Sequence, residues 1–168
     1  MGPADRPARP LYTQAERHRR DTSPWTLVQG VLAPLQFAIF LVSLVLVLHA
    51  LATGAGLAAA EISVVVKTLA LYAIMITGSI WEKAVFGRFL FAPAFFWEDV
   101  VSMLVLALHT AYLAALAIGA LGGEALLVLA LAAYATYVVN AGQFVLKLRA
   151  ARLQGAGPAA PRLAEALS

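Results

Sequence analysis

Residues 31–52 read VLAPLQFAIFLVSLVLVLHALA, a run that contains no Asp, Glu, Lys or Arg. A run of this length and hydrophobicity is typical of a helix that crosses a membrane. Three more long apolar runs follow before Lys147. The sequence therefore predicts an all-α fold, an integral membrane four-helix bundle with helices at about 24–52, 61–86, 93–119 and 124–149.

The two ends of the chain differ from this apolar middle. Residues 1–22 and 154–168 are rich in Pro, Ala, Gly and charged side chains. Segments of this composition have little apolar surface to bury. We expect a flexible basic N-tail at 1–22, a single transmembrane domain at 23–153 and a flexible C-tail at 154–168.

The composition agrees with a membrane protein and excludes several functions. The chain has 168 residues, of which 62% are hydrophobic and 12% charged, and its mean hydropathy is +0.83. A soluble domain carries about 25% charged residues. The chain has no cysteine, which excludes disulfides, iron–sulfur clusters and thiol nucleophiles. The first apolar run is too long for the core of a cleaved signal peptide.

The positive charges indicate how the chain lies in the membrane. Five Lys and Arg residues precede the first helix, two lie in the loop at 82–97 and four follow from Lys147 onward. The connectors at 53–60 and 119–124 carry none. Loops rich in Lys and Arg stay on the cytoplasmic side. We therefore expect both termini and the 82–97 loop to face the cytoplasm, with membrane lipids around the helices and no nucleic-acid partner.

Acidic side chains adjoin indole rings at both ends of that loop. Trp81-Glu82 ends the second helix, and Trp97-Glu98-Asp99 begins the third. A carboxylic acid packed against apolar rings can hold a proton near neutral pH, whereas one that faces Lys83 or Arg88 stays ionised. Such a pair is suited to general acid–base catalysis. The alternative is that acids near a helix start only favour the helix dipole.

Polar side chains also lie within the predicted spans. Ser102 and His109 follow Glu98 on one face of the third helix, and Asn140 and Gln143 share a face of the fourth. They indicate either a polar pocket open toward the cytoplasm or ordinary hydrogen bonds between helices. Lys67 either extends outward along its own stem or pairs with a polar group of the bundle.

His109 has three open interpretations from the sequence. It is an axial ligand to a magnesium tetrapyrrole, a hydrogen-bond donor, or a core histidine with its bonds satisfied. A haem held by two histidines is disfavoured, because His49 lies near the far end of its helix and His109 near mid-membrane, an offset of about 10 Å or more at 1.5 Å per residue.

Several strings resemble one known family. They include Ser23-Pro24-Trp25-Thr26-Leu27-Val28-Gln29-Gly30, Gly78-Ser79-Ile80-Trp81-Glu82-Lys83, Phe91-Ala92-Pro93-Ala94-Phe95-Phe96-Trp97-Glu98-Asp99 and Leu108-His109-Thr110-Ala111-Tyr112. Over about residues 11–153, the chain resembles the 2-vinyl (3-vinyl in current numbering) bacteriochlorophyllide hydratases of bacteriochlorophyll biosynthesis.

The resemblance implies a hydro-lyase of a photosynthetic membrane that needs no cofactor and has no metal of its own. It would add water to the ring-A vinyl group of a chlorophyllide-type pigment and give a 1-hydroxyethyl group. Other bacteriochlorophyll-biosynthesis enzymes are candidate partners. The main alternative is a non-enzymatic tetrapyrrole carrier or assembly factor of the same membrane, which would have no need for three acids together.

Our hypothesis for this chemistry gives Glu98 the role of general acid, with Glu82 or Asp99 orienting or deprotonating water. Lys83 and Arg88 would bind the pigment's propionate. The remaining candidate contacts to the pigment are Trp81, Phe96, Trp97, Ser102, Asn140, Gln143 and His109, the last as a ligand to the substrate's magnesium or as a group that fixes ring orientation.

Overall fold

The described part of the chain folds into five helices. A computed structural model describes the backbone of residues 11–155 and the side chains of residues 11–153. The elements are α1 (Gln14–Thr22), α2 (Pro24–Thr53), α3 (Leu57–Phe86), α4 (Phe96–Ala117) and α5 (Gly123–Gly155). The last four are long and apolar enough to cross a membrane. The prediction of an all-α chain with four long apolar helices is confirmed.

The helix ends differ from the predicted ones for local reasons. α3 begins at Leu57 rather than at 61, because glycines at 54 and 56 complete the turn early and alanines, which favour helix, follow. α4 begins at Phe96 rather than at 93, because the preceding residues form a loop whose amides bond to side chains. α5 continues beyond 149 to Gly155.

The N-terminal tail contains a helix that the sequence prediction missed. α1 occupies residues 14–22 of the segment predicted to be flexible. Thr13 and Glu16 form a capping box, in which each side chain accepts a hydrogen bond from the other residue's backbone amide. The prediction of flexible tails otherwise falls on residues 1–10 and 156–168, which lie outside the described part of the chain.

The four long helices pair as two hairpins. α2 packs most extensively on α3, and α4 on α5, while the two hairpins contact each other less. Val47, Val64 and Val105 are fully buried at the centre of the apolar core. Many large apolar side chains on the outer faces are exposed, such as Leu27 and Ile62. An apolar outer surface is what a helix bundle presents to lipid tails.

One aromatic cluster ties α1 to the end of the bundle. The ring of Tyr12 stacks on Phe86 at 5.7 Å and lies 6.3 Å from Phe95. The guanidinium of Arg20 also lies over the Tyr12 ring, 4.8 Å from its centre. Burial raises the pKa of the Tyr12 phenol above its ordinary value, so that the side chain stays neutral.

We predict that Tyr12→Ala releases α1 from the bundle, because it removes a buried aromatic ring worth about 3 kcal/mol. Trypsin cleavage after Arg17, Arg19 or Arg20 should then accelerate by roughly 100-fold. Tyr12→Phe keeps the ring and should leave the cleavage rate close to that of the parent. Equal protection of α1 in all three proteins would contradict this role for Tyr12.

Candidate active site

The loop between α3 and α4 contains two residues with a positive φ, one at its start and one in its middle. Gly87 ends α3 with a φ of 84°, in the left-handed region that glycine adopts without strain. Phe91 has a φ of 58° and is the one non-glycine residue with a positive φ among residues 11–155. A left-handed conformation costs a non-glycine residue about 1–2 kcal/mol. The loop must therefore be held by other contacts.

Two carboxylates supply those contacts. The amide of Phe91 donates a hydrogen bond of 2.7 Å to Oδ2 of Asp99 on α4. The next amide, that of Ala92, donates one of 3.2 Å to Oε2 of Glu82 on α3. Adjacent loop amides thus join the end of one transmembrane helix to the start of the next.

These bonds bring Glu82 and Asp99 together. Both side chains are buried, with 6% and 3% of their surface exposed. Their carboxyl groups are close enough to interact as charges and as hydrogen-bonding partners. A hydrogen bond between two carboxyl groups requires that one of them carries a proton. The arrangement is therefore suited to holding a single proton between two acids.

The third acid of the site, Glu98, has a different partner. Its Oε2 lies 2.7 Å from Nζ of Lys147 on α5, in an ion pair that leaves 9% of the Glu98 side chain exposed. The Lys147 ammonium also lies 5.3 Å from the centre of the Phe95 ring. The sequence hypothesis expected Lys83 or Arg88 as the local cation. The structure instead brings in Lys147, 49 positions further along the chain.

Polar side chains beneath Glu98 bond to one another across α4 and α5. Nδ2 of Asn140 donates to the Glu98 carbonyl oxygen at 2.9 Å, and Oγ of Ser102 donates to Oδ1 of Asn140 at 3.1 Å. These hydrogen bonds form a network between α4 and α5 that fixes the first turn of α4. Gln143 is half-buried on the same helix as Asn140.

The aromatic residues near the loop form two groups. Trp81 and Phe95 belong to the buried cluster around Tyr12, and the indole N–H of Trp81 donates to Thr26 at 2.9 Å. Phe96 and Trp97 are 43% and 68% exposed. The exposed group, which we call the aromatic ledge, consists of Phe89, Phe91, Phe96 and Trp97.

The remaining predicted contacts lie at different depths. Lys83 is exposed and donates to the Gly87 carbonyl oxygen at 3.0 Å, and Arg88 is exposed in the loop. His109 is fully buried and lies eleven residues beyond Glu98, about 16 Å along the helix. His109 is therefore not part of the loop site.

The fold and this site define a helical membrane protein with buried carboxyl groups and an exposed aromatic ledge at one end. The family model described as 2-vinyl bacteriochlorophyllide hydratase matches residues 12–150. The match covers all five helices except the last residues of α5. The chain belongs to the 2-vinyl bacteriochlorophyllide hydratase family.

Two curated relatives agree with this assignment. The 2-vinyl bacteriochlorophyllide hydratase of Rhodobacter capsulatus is 66% identical over 146 residues, which cover 87% of this chain and 85% of the relative. The protein of the same name from Cereibacter sphaeroides is 65% identical over 147 residues, which cover 88% of this chain and 91% of the relative. No solved structure matches the chain.

We predict that Lys147→Met destabilises the bundle by about 3 kcal/mol, because it leaves a buried carboxylate without its cation. The double variant Glu98→Gln/Lys147→Met removes both charges and should lose less. Thermal unfolding in detergent, followed by circular dichroism, measures both. A double variant that is less stable than Lys147→Met would show that the ion pair is not the important contact.

Proposed function

We propose that this protein adds water to the ring-A vinyl group of a chlorophyllide-type magnesium tetrapyrrole and forms a 1-hydroxyethyl group. Membership of the hydratase family and the names of both relatives support the reaction. The observation that carries the proposal for this chain is the Glu82–Asp99 pair, two buried carboxyl groups that accept hydrogen bonds from adjacent amides of the loop.

The reaction needs a proton, a water and a site for a large flat ring. A carboxyl group transfers its proton to the terminal vinyl carbon, and the positive charge that forms on the inner carbon is spread into the macrocycle. The oxygen of water bonds to that inner carbon. A proton of this water then returns to the carboxylate, so that the acid is regenerated. No electrons are exchanged, and the reaction requires no redox cofactor or nucleotide.

We assign the proton donor to Glu82, with Asp99 as its partner, rather than to Glu98. An ion-paired carboxylate at 2.7 Å from an ammonium has no proton to give. Glu82 and Asp99 contact no cation at hydrogen-bonding distance within the described side chains. Glu98 and Lys147 instead form an ion pair that is neutral overall and holds the start of α4 against α5.

The aromatic ledge is our candidate surface for the macrocycle. Phe96 and Trp97 present exposed rings and directly precede Glu98 and Asp99 in the sequence, and flat π-systems stack well on such rings. Lys83 and Arg88 lie at the same end of the bundle and are suited to bind the pigment's propionate. Trp81 acts behind this surface, where it holds the α3 end against α2 through Thr26.

We also propose that the loop site faces the cytoplasm, in the inner or intracytoplasmic photosynthetic membrane, and that both termini lie on the same side. α3 has 30 residues, about 45 Å at 1.5 Å per residue, and the apolar part of a bilayer is about 30 Å thick. The ends of α3 therefore extend into the headgroup layers. The Lys and Arg residues near the loop and at both tails favour the cytoplasmic side.

The first experiment tests the reaction and the proton donor. Purified protein incubated with a vinyl chlorophyllide should yield a product heavier by one water. Glu82→Gln should lower turnover by roughly 10²–10⁴-fold, because it removes the proton while keeping the shape of the side chain. Pigment binding, followed by the pigment's absorption, should persist.

Glu124→Gln is the matched control, since Glu124 is an exposed acid at the opposite end of the bundle. Its turnover should equal that of the parent. Normal hydration by Glu82→Gln would refute the assignment of the donor. Pigment binding without any gain of water by the parent protein would instead support a tetrapyrrole carrier.

The second experiment tests orientation. The chain has no cysteine, so single cysteines can be labelled without background. In intact cells, a membrane-impermeant maleimide should label Ala120→Cys, in the turn between α4 and α5, and should not label Arg88→Cys. Inverted membrane vesicles should give the opposite pattern. Labelling of both positions from the same side would contradict the four-span arrangement.

A further inference from the structure

The surface between the two hairpins is polar as well as apolar. The hydroxyl of Tyr134 on α5 lies 2.5 Å from the Ser43 oxygen on α2. The Ser43 oxygen also lies 2.7 Å from the hydroxyl oxygen of Ser63 on α3. Lys67 of α3 and His109 and Tyr112 of α4 face the same interior and are fully buried. We call this surface the seam.

Three polar atoms of the seam have no hydrogen-bonding partner among the described residues. They are Nζ of Lys67, Nε2 of His109 and the hydroxyl oxygen of Tyr112. Thr68, the neighbour of Lys67, is equally buried, yet its hydroxyl donates to the Val64 carbonyl oxygen at 2.8 Å. Buried polar groups are nearly always bonded. Three unpaired groups in one seam therefore indicate a ligand.

The three groups lie near one another. The Lys67 ammonium lies 3.9 Å from the centre of the Tyr137 ring, and the His109 ring lies 5.9 Å from that of Tyr134, one turn away on α5. Tyr112 follows His109 by three residues, which places both on one face of α4.

Aromatic side chains of α5 pack against Lys67 and His109. The ammonium of Lys67 lies 3.9 Å from the centre of the Tyr137 ring, one helical turn from Tyr134. That ring contacts one side of the cation and offers it no oxygen acceptor. An ammonium has three donor protons and one ring covers only one side of it, so the group still requires a hydrogen-bond acceptor.

The chemistry of the three atoms defines the ligand. Nδ1 of His109 lies 2.8 Å from the Val105 carbonyl oxygen, which only accepts, so Nδ1 carries the proton and Nε2 of a neutral ring is an acceptor. The Lys67 ammonium only donates, and the Tyr112 hydroxyl does both. A ligand that serves all three must accept from Lys67 and donate to His109.

Water meets both requirements. A carbonyl or carboxylate oxygen would satisfy Lys67 but has no proton for Nε2 of His109. The three side chains are 0% exposed, which favours a ligand no larger than water over the edge of a pigment. Internal waters typically make two to four hydrogen bonds to groups of this kind.

We propose that Lys67, His109 and Tyr112 enclose a binding site for internal water in the seam, where the water accepts from the ammonium and donates to the imidazole. The bridge joins α3 to α4 and so connects the two hairpins inside the membrane. This site lies about 16 Å or more from the loop acids along α4 and does not depend on the proposed reaction.

Infrared difference spectroscopy of the full chain in lipid nanodiscs tests the proposal. An O–H stretching band of bound water shifts when H₂¹⁸O replaces H₂¹⁶O, whereas bands of the protein do not. We expect such a band in the parent protein, and its loss or displacement in Lys67→Met and in Tyr112→Phe, which removes only one hydroxyl. Thr68→Val is the control at equal burial and should keep the band unchanged.

Other results would overturn the proposal. They are the absence of an isotope-sensitive band in the parent, a band that both Lys67→Met and Tyr112→Phe leave unchanged, and a band that Thr68→Val abolishes equally. A fourth arm adds a magnesium tetrapyrrole to the parent and to His109→Leu. A His109-dependent shift of the pigment's visible absorption would assign Nε2 to the pigment's magnesium and not to water.

Discussion

The loop end of this protein depends on the need to satisfy three buried carboxyl groups. A carboxylate removed from water without a partner costs several kcal/mol. Glu98 meets this need through Lys147, and Asp99 and Glu82 meet it through two consecutive loop amides and each other. The loop adopts a left-handed residue at position 91 because that conformation directs both amides at the acids. The positions of the acids and the conformation of the loop therefore depend on each other.

Much of the fold follows from the sequence because lipid imposes a simple rule. Backbone polar groups within the bilayer must bond to each other, so a long apolar run has little choice but helix. The four apolar helices were predictable for this reason. α1 was not, since a helix of nine residues, eight of them polar, makes a weak signal. Its position depends on Tyr12 packing against Phe86, which is distant in sequence. The helix ends at 57 and 96 depend on glycine turns and loop bonds, which periodicity does not report.

The acids of the candidate site were predictable from the sequence, but the residues that pair with them were not. Glu82, Glu98 and Asp99 stand out in the sequence because acids rarely adjoin indole rings at a membrane boundary. Their partners cannot be read in this way, because Lys147 reaches Glu98 only after α5 has folded back along α4. The ion pair between Glu98 and Lys147 is the reason why we propose Glu82 rather than Glu98 as the proton donor. Aromatic residues show the same limit, as Phe95 is buried and its neighbour Phe96 exposed.

The strained loop residue also bears on how a pigment reaches buried acids. The backbone at residues 91 and 92 covers Glu82 and Asp99. A pigment can therefore reach the two acids only if the hydrogen bonds from these two amides break. A bond to a charged group contributes about 1.5–3 kcal/mol. Opening also frees Phe91 from a left-handed conformation that costs about 1–2 kcal/mol. The strain therefore offsets part of the cost of exposing the acids. A pigment stacked on Phe91 and Phe96 would contact Phe91 directly. Breaking the hydrogen bond from the Phe91 amide would in turn uncover Asp99.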